Sequence, residues 1–453
     1  MTLLRDRCRT AARIASLLPL VFAACHSIDP YLEESRCLEP TRYVIVLPAA
    51  RQQLPAVQRF IARKRSEGLA VEVLPFAVDD DAGERVRAVR ERLAAAAPPA
   101  GEVAYALLLA THDELPMGPW KVAGIDEPVH SDLPYFLPEV DAPLSESALA
   151  VACSPSFPWI AGRIPFVDEP VLGRVLGPDV ACGLPGQPPL AMIGGERFAV
   201  WWDTSLIMAA ARARMAARGW RTVTYSEDLP CDIAFGADDP ETLRRSHELA
   251  VLRAGARQGV RRIPAAALDD AEHPDYLLFM THWVHLAPDV VYVNSHGSPG
   301  MIGEYLLSVP DFVAYRQHAR RHGLPLAPER PAVFVNIACS GGVADSPLLC
   351  CLFQTGWVSA VIGSTETTAP LPVAAAIRTE VDVGEALTAG LTVGLAMRAA
   401  RRSYYEDARG SWSYLVFEST AAAMAQNVLG MTLYGDPSLG MPESAAARGG
   451  LSP

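Results

Sequence analysis

The chain has 453 residues, with 39 Lys or Arg against 51 Asp or Glu, for a net charge of −12. That balance excludes a nucleic-acid binder working by phosphate neutralisation, and a 50% hydrophobic content excludes a disordered chain. Beyond the N-terminus there is no apolar run of about 18 residues, so nothing else reads as a membrane span.

Taken in chain order, residues 1–24 carry Arg5, Arg7, Arg9 and Arg13 and then an apolar run over 14–24. A charged start and a short apolar stretch are the pattern of a secretory signal peptide. The run ends Val21-Phe22-Ala23-Ala24 before Cys25, which resembles the bacterial lipobox, where the Cys takes lipid and becomes the mature N-terminus. Phe22 departs from the usual Leu or Val, and a plain cleaved signal is the alternative. His26 rather than Asp follows, so the common inner-membrane retention signal is absent and a lipid-anchored place in the outer membrane is expected, facing the periplasm or the surface. Loss of the four Arg and Asp6 takes the net charge from −12 to −15. Of nine cysteines, Cys8 leaves with the signal and Cys25 takes lipid. The remaining seven, in an oxidising compartment, leave at least one thiol unpaired within the chain. No Cys/His spacing suits structural zinc.

The body alternates strands and helices. Strands are expected at 43–47, 69–74 and 103–110, with helices at 55–67 and 80–97 between them and Gly68 as a C-cap. This βαβαβ order implies a parallel sheet with helices on its faces. Short strands at 159–163 and 190–193 flank a Pro-rich joint at 184–189. A second series follows: a helix from Asp203 to Arg218, a strand at 222–225, a helix at 241–258, and strands at 289–294, 332–338 and 358–364. A helix at 382–400 and a helix-then-strand segment at 421–433 complete it.

Two of these strands deliver polar motifs. The first ends in Asn294-Ser295-His296-Gly297-Ser298, the second in Asn336-Ile337-Ala338-Cys339-Ser340-Gly341-Gly342. In open parallel sheets ligands bind beyond the carboxyl ends of strands. Thiolate attack on a carbonyl needs a nucleophile, a proton carrier and oxyanion donors. His296 and Cys339, with neighbouring backbone amides, can supply all three, and the glycines leave room for close approach of a chain. An inert buried thiol is the plainer alternative for a strand-end Cys.

An apolar strand ending in His-Gly, followed by one ending in Ala-Cys, resembles the signature of caspase-like cysteine peptidases. Within that clan the chain is most similar to the gingipain family of secreted bacterial peptidases. Four further blocks carry this resemblance in family order: Ser131-Asp132-Leu133-Pro134-Tyr135, Ile160-Ala161-Gly162-Arg163, Ala360-Val361-Ile362-Gly363-Ser364-Thr365, and Leu433-Tyr434-Gly435-Asp436-Pro437-Ser438-Leu439. The resemblance spans about residues 41–442 and implies a caspase-like α/β fold in two halves, 41–185 and 186–442, after a tether at 25–40 and before a frayed tail at 443–453.

It also implies endopeptidase activity on polypeptides, with Cys339 as nucleophile and His296 protonating the leaving amine. The amides of Gly297 and Cys339 would form the oxyanion hole. Glu196 falls near the place of an acid that supports the family's His, although Ile193-Gly194-Gly195-Glu196 is rearranged. Asp203 falls where arginine-specific members carry a pocket Asp, and reads equally as a helix N-cap. Trp201 and Trp202 are candidates for the walls of that pocket or for core. No cofactor is required for the chemistry; structural calcium is implied by the family, without an EF-hand spacing here. The family's long propeptide and C-terminal regions have no counterpart in this sequence, and 262–275 is a candidate cleavage loop.

With Cys339 set aside, Cys37, Cys153, Cys182, Cys231, Cys350 and Cys351 allow three disulfides, with no pairing between the adjacent Cys350 and Cys351. Three groups are expected to be unremarkable: His282 and His285 on a surface helix or loop, His112-Asp113-Glu114 in a solvated turn, and Arg398, Arg401 and Arg402 on a solvated helix face. The rival functions are a caspase-fold lipoprotein acting as a binding module and a transpeptidase, in which an amine resolves the thioester.

Overall fold

The structure is a computed structural model. It describes residues 27–442 except 79–80, 122–127, 138–145, 167, 178–187, 196–203, 227–232, 235–273, 296, 303–306, 337–341, 344, 366–381 and 411–417.

In the first half of the chain, β1 (Arg42–Pro48), β2 (Ala70–Phe76) and β3 (Ala104–Leu108) alternate with the helices Pro55–Ser66 and Ala82–Ala95. The first helix opens on a proline, whose missing N–H costs nothing there, and stops before Gly68, whose φ of +90° is the left-handed turn that glycine permits. A small antiparallel pair, β4 (Gly118–Trp120) and β5 (Val129–Ser131), precedes β6 (Trp159–Arg163). In the second half, β7 (Leu190–Gly195), β8 (Arg221–Ser226), β9 (Ile233–Ala234) and β10 (Val290–Asn294) come first. The short strands β11 (Gly297–Ser298), β12 (Met301–Ile302) and β13 (Leu307–Ser308) form a three-stranded antiparallel sheet. Then come β14 (Ala332–Asn336), β15 (Val358–Ser364) and β16 (Met431–Tyr434).

Eleven strands form one sheet in the order β2-β1-β3-β6-β16-β15-β14-β10-β7-β8-β9. All described pairings in it are parallel except β15 with β16. Two parallel half-sheets therefore run in opposite senses and meet at one antiparallel seam. The closing strand β16 belongs to the first half by direction, pairing through Tyr434 with Arg163 of β6.

Strand alternation splits the core between the two faces. Tyr43, Ile45 and Leu47 of β1 pack on one side, Val44 and Val46 on the other. The central strands β10, β14 and β15 are buried throughout, as continuous apolar runs in a covered parallel sheet should be. The helix Pro274–Leu286 supports them from one face. Its Trp283 stacks on Phe334 of β14 at 5.4 Å and meets Trp357 edge-on at 5.2 Å. His282 and His285 lie on this helix and are buried, not on the surface as their polarity suggested. The apolar neighbours Phe279, Met280, Trp283 and Val284 carry the helix inward, and the imidazoles go with it.

The arginines of the helix Val393–Gly410 are likewise not a solvated face. Arg398 and Arg402 are buried. Arg398 donates to the carbonyls of Pro155 (2.7 Å) and Phe157, and Arg402 donates through Nε to Cys153 O at 2.9 Å. These carbonyls belong to the turn that follows the short helix Glu146–Ala152. Burial pushes the Arg398 guanidinium down to about 10. The expected helix at 382–400 is broken at Gly390, φ +74°, and restarts at Val393.

The sequence blocks around Asp132, Arg163, Gly363 and Tyr434 converge on the seam. Arg163 is wholly buried and forks onto Asp132, with Nε–Oδ2 2.7 Å and Nη2–Oδ1 2.6 Å, while Nη1 donates to Ala110 O at 3.1 Å. Gly162 lies where a Cβ would come within 2.5 Å of Gly435 O, so only glycine lets the two backbones touch. Asp436 accepts from Tyr43 Oη (2.8 Å), Ser438 Oγ (2.7 Å) and the buried Lys64 (2.9 Å), docking the helix Pro55–Ser66 onto the closing turn.

Candidate active site

Three adjacent strands end immediately before the segments that carry the predicted site residues. β7, β10 and β14 are parallel neighbours, with Gly195 opposite Asn294 and Val293 opposite Asn336. Their carboxyl ends therefore lie side by side along one edge of the sheet. The next residues along the chain are Glu196 after β7, Ser295-His296 after β10, and Ile337-Ala338-Cys339 after β14. Of the predicted site residues, His296, Cys339, Glu196, Asp203 and Cys25 lie outside the described residues, as do Trp201, Trp202, the helix expected at 241–258 and the tail at 443–453. Gly297 is described: it opens β11, half-exposed, opposite Ile302. The helix Thr204–Ala217 begins directly after Asp203.

The flanks of the two motifs are held by specific contacts. Asn294, Ser295 and Asn336 are buried. Past the histidine, the Pro299 carbonyl accepts from the hydroxyl of Ser346 and from Leu348 N–H at 3.4 Å. Ser346 is wholly buried and also caps the helix Pro347–Gln354 by accepting from Leu349 N–H at 3.3 Å. Past the cysteine, Gly342 donates to Ser364 O at 2.8 Å and accepts from the buried Tyr434 hydroxyl. A Cβ on Gly342 would sit 2.7 Å from the carbonyl carbon of Gly363, so the chain that glycine admits here is β15.

His112 and Glu114, beyond β3, are also engaged. Glu114 pairs with the buried Arg51 and accepts from Thr111 N–H at 2.8 Å, so this turn is not simply solvated. His112 accepts from Met117 N–H through Nδ1 at 3.3 Å, and burial together with the Arg163 charge lowers its pKa. Asp345, in the stretch after Cys339, acts on His112 in the opposite sense.

No protein-family model and no curated protein matches the chain. Among solved structures, the Arg-specific cysteine proteinase gingipain R superposes with a TM-score of 0.55 at 13% identity, covering 90% of this chain and 81% of the other. A complex of the Porphyromonas gingivalis RgpB pro- and mature domains gives 0.54 at 14% identity, covering 89% and 80%. A third structure, described as a protease, gives 0.52 at 12% identity, covering 89% and 79%. The fold is caspase-like. In this caspase-like sheet, the edge carrying the ends of β7, β10 and β14 is where the strand directions agree and where polar motifs follow buried runs.

Of the six cysteines open to pairing, Cys37, Cys153, Cys350 and Cys351 are free thiols in the structure, and Cys182 and Cys231 lie outside the described residues. Cys153 is enclosed under the helix Val393–Gly410, Cys37 is exposed at the end of the helix Asp29–Arg36, and Cys350 and Cys351 share the helix Pro347–Gln354. Burial pushes the Cys153 thiol up to about 12 and Cys351 to about 11. Among the described residues, no group of three or more His, Cys, Asp or Glu is arranged to hold a metal ion, and no helix is long and apolar enough to cross a membrane.

The sequence reading missed Ser346 and Tyr434. Ser346 carried a signal, since Ser-Pro before an apolar run marks a helix start. Tyr434 was read only as part of a motif, and its partner 92 residues away could not be seen.

Proposed function

We propose that the chain is a cysteine endopeptidase with Cys339 as nucleophile and His296 as proton carrier. The observation that carries this is the adjacency of β10 and β14. Parallel, hydrogen-bonded neighbours ending in register at Val293 and Asn336 send both motifs out of one edge. The Cys339 sulfur attacks the substrate carbonyl carbon and the C–N bond breaks. His296 takes the thiol proton of Cys339 and passes it to the leaving amine, and water then hydrolyses the thioester to the carboxylic acid and returns the thiol. The Gly297 and Cys339 amides would stabilise the oxyanion. This chemistry needs no cofactor. Glu196, following Gly195 opposite Asn294, is proposed to support His296 from the neighbouring strand. Asp203, immediately before the helix Thr204–Ala217, is proposed to pair with an Arg or Lys side chain of the substrate. Lipid on Cys25 would anchor the enzyme in the bacterial cell envelope.

Labelling with a thiol-directed acyloxymethyl-ketone probe carrying Arg at the first subsite tests the reading. Wild type should label and Cys339→Ala should not; equal labelling of both sinks it. A peptide-library cleavage profile separately tests specificity, and an Arg preference that survives Asp203→Ala removes the pocket assignment.

A further inference from the structure

We propose that Ser346 and Tyr434 are positioning residues that hold the histidine-bearing and cysteine-bearing segments in register. This rests on the reading of His296 and Cys339 as the reacting pair. Thiol attack and proton delivery depend on sub-ångström placement of two side chains contributed by different strands, and a misplacement of 1 Å can cost about 100-fold in rate. Strand pairing fixes the two segments as far as Asn294 and Asn336. Beyond those residues, other contacts must do it.

Two buried hydroxyls provide them. The Ser346 hydroxyl donates to Pro299 O, so the segment after Cys339 is tied directly to the segment after His296. The same oxygen accepts from Leu349 N–H, which fixes it at the first turn of the helix Pro347–Gln354. Leu348 N–H makes a second, longer bond to the same carbonyl. The Tyr434 hydroxyl donates to Gly342 O, while Gly342 N–H is held by Ser364 O. Gly342 is thus fastened to both strands of the antiparallel seam, β15 through its nitrogen and β16 through its oxygen. Pro299 lies three residues past His296, and Gly342 lies three past Cys339. Three residues reach at most about 10 Å, so each tie sits on a short leash from a reacting residue. Neither hydroxyl is solvent-accessible, since both residues are buried, so their role is not to meet substrate. They act through the two segments they fasten.

The test compares Ser346→Ala, Ser346→Thr and Tyr434→Phe in the full chain, using a fluorogenic peptide chosen from the wild-type cleavage profile. Thermal unfolding of each variant sets an assay temperature at which all are folded. Ser346→Ala and Tyr434→Phe are expected to lower kcat by roughly 10- to 100-fold with KM changed less than about threefold. Ser346→Thr keeps an oxygen that can donate and accept and is expected to restore most of kcat. Loss of helix capping or packing alone would lower the unfolding temperature and leave kcat of the folded protein intact. Unchanged kcat in both variants, a rise in KM alone, or a Ser346→Thr enzyme as slow as Ser346→Ala overturns the proposal. Probe labelling of wild type and Cys339→Ala separates the two levels. Equal labelling removes the dyad and this proposal with it, whereas Cys339-dependent labelling with normal kcat in the variants removes this proposal alone.

Discussion

Removing the guanidinium of Arg163 should destabilise the protein more than any surface substitution. Arg163 is wholly enclosed, and the described hydrogen-bond partners of its guanidinium are the Asp132 carboxylate, held through two bonds of 2.6 and 2.7 Å, and Ala110 O. Burial by itself would lower the Arg163 pKa, but the Asp132 charge and hydrogen bonds outweigh it, and the guanidinium stays firmly protonated. Arg163→Met keeps the apolar stem and strands the carboxylate. Breaking a buried pair from one side costs about 3–5 kcal/mol, because the surviving charge is left uncompensated. Replacing both partners removes that charge, so Arg163→Met with Asp132→Leu should lie closer to wild type than Arg163→Met alone. Equilibrium urea unfolding, followed by far-ultraviolet circular dichroism, measures both differences. An Arg163→Met protein within about 1 kcal/mol of wild type refutes the reasoning. So does a double variant as unstable as the sum of the two single changes.

Gly342→Ala places a methyl 2.7 Å from backbone of β15 and should cut activity at least tenfold or prevent folding; a folded variant with wild-type kcat counts against the close approach. The His112 pKa is lowered from 6.5, first by burial and then by Arg163, so the folded state disfavours its proton. Its contribution is complete above about pH 6.5 and is lost as pH falls through the lower folded value. His112→Gln should therefore flatten the fall of Tm from about pH 7 to pH 5, and an unaltered slope would show that His112 does not titrate in this way. Cys153, buried with its thiol pushed up to about 12, should resist iodoacetamide in the native protein at neutral pH while exposed Cys37 reacts. Peptide mapping reads this directly, and alkylated Cys153 in folded protein contradicts the burial.

Much of the fold was legible because its strands announce themselves. Runs such as 43–47, 290–293 and 332–335 have no polar interruption, as strands covered on both faces of a parallel sheet should. Helix ends were legible where glycine forced them, at Gly68 and Gly219, both with positive φ. The burial of His282, His285, Arg398 and Arg402 was not legible. Each is polar, and local composition cannot reveal that apolar neighbours drag an imidazole inward or that a distant turn offers carbonyls to a guanidinium. Lys64 is one of only two lysines in the chain, yet nothing nearby in sequence marks it as the buried partner of Asp436. Of the candidate site, the two strand-end motifs were read from the sequence, and what the structure adds is that their strands β10 and β14 are neighbours. The contacts on their flanks span long separations, 47 residues from Ser346 to Pro299 and 92 from Tyr434 to Gly342.

The antiparallel seam explains why sequence blocks remote from His296 and Cys339 accompany them. Two half-sheets of opposite direction meet only where β15 lies against β16, so the relation between the halves depends on what crosses that line. Tyr434 stands on it. Its backbone pairs with Val361 on one side and Arg163 on the other, and its hydroxyl reaches Gly342. Arg163 holds Asp132, and Gly162 admits Gly435 at backbone contact. The Asp132, Arg163, Gly363 and Tyr434 blocks therefore form one buried unit, with the glycine after the cysteine motif as its outermost member. A change at Asp132, far from the strand ends in sequence, has a continuous path of packed groups to Gly342. The physical content of these blocks is thus the joining of the two half-sheets, with Gly342 tied to the line where they meet.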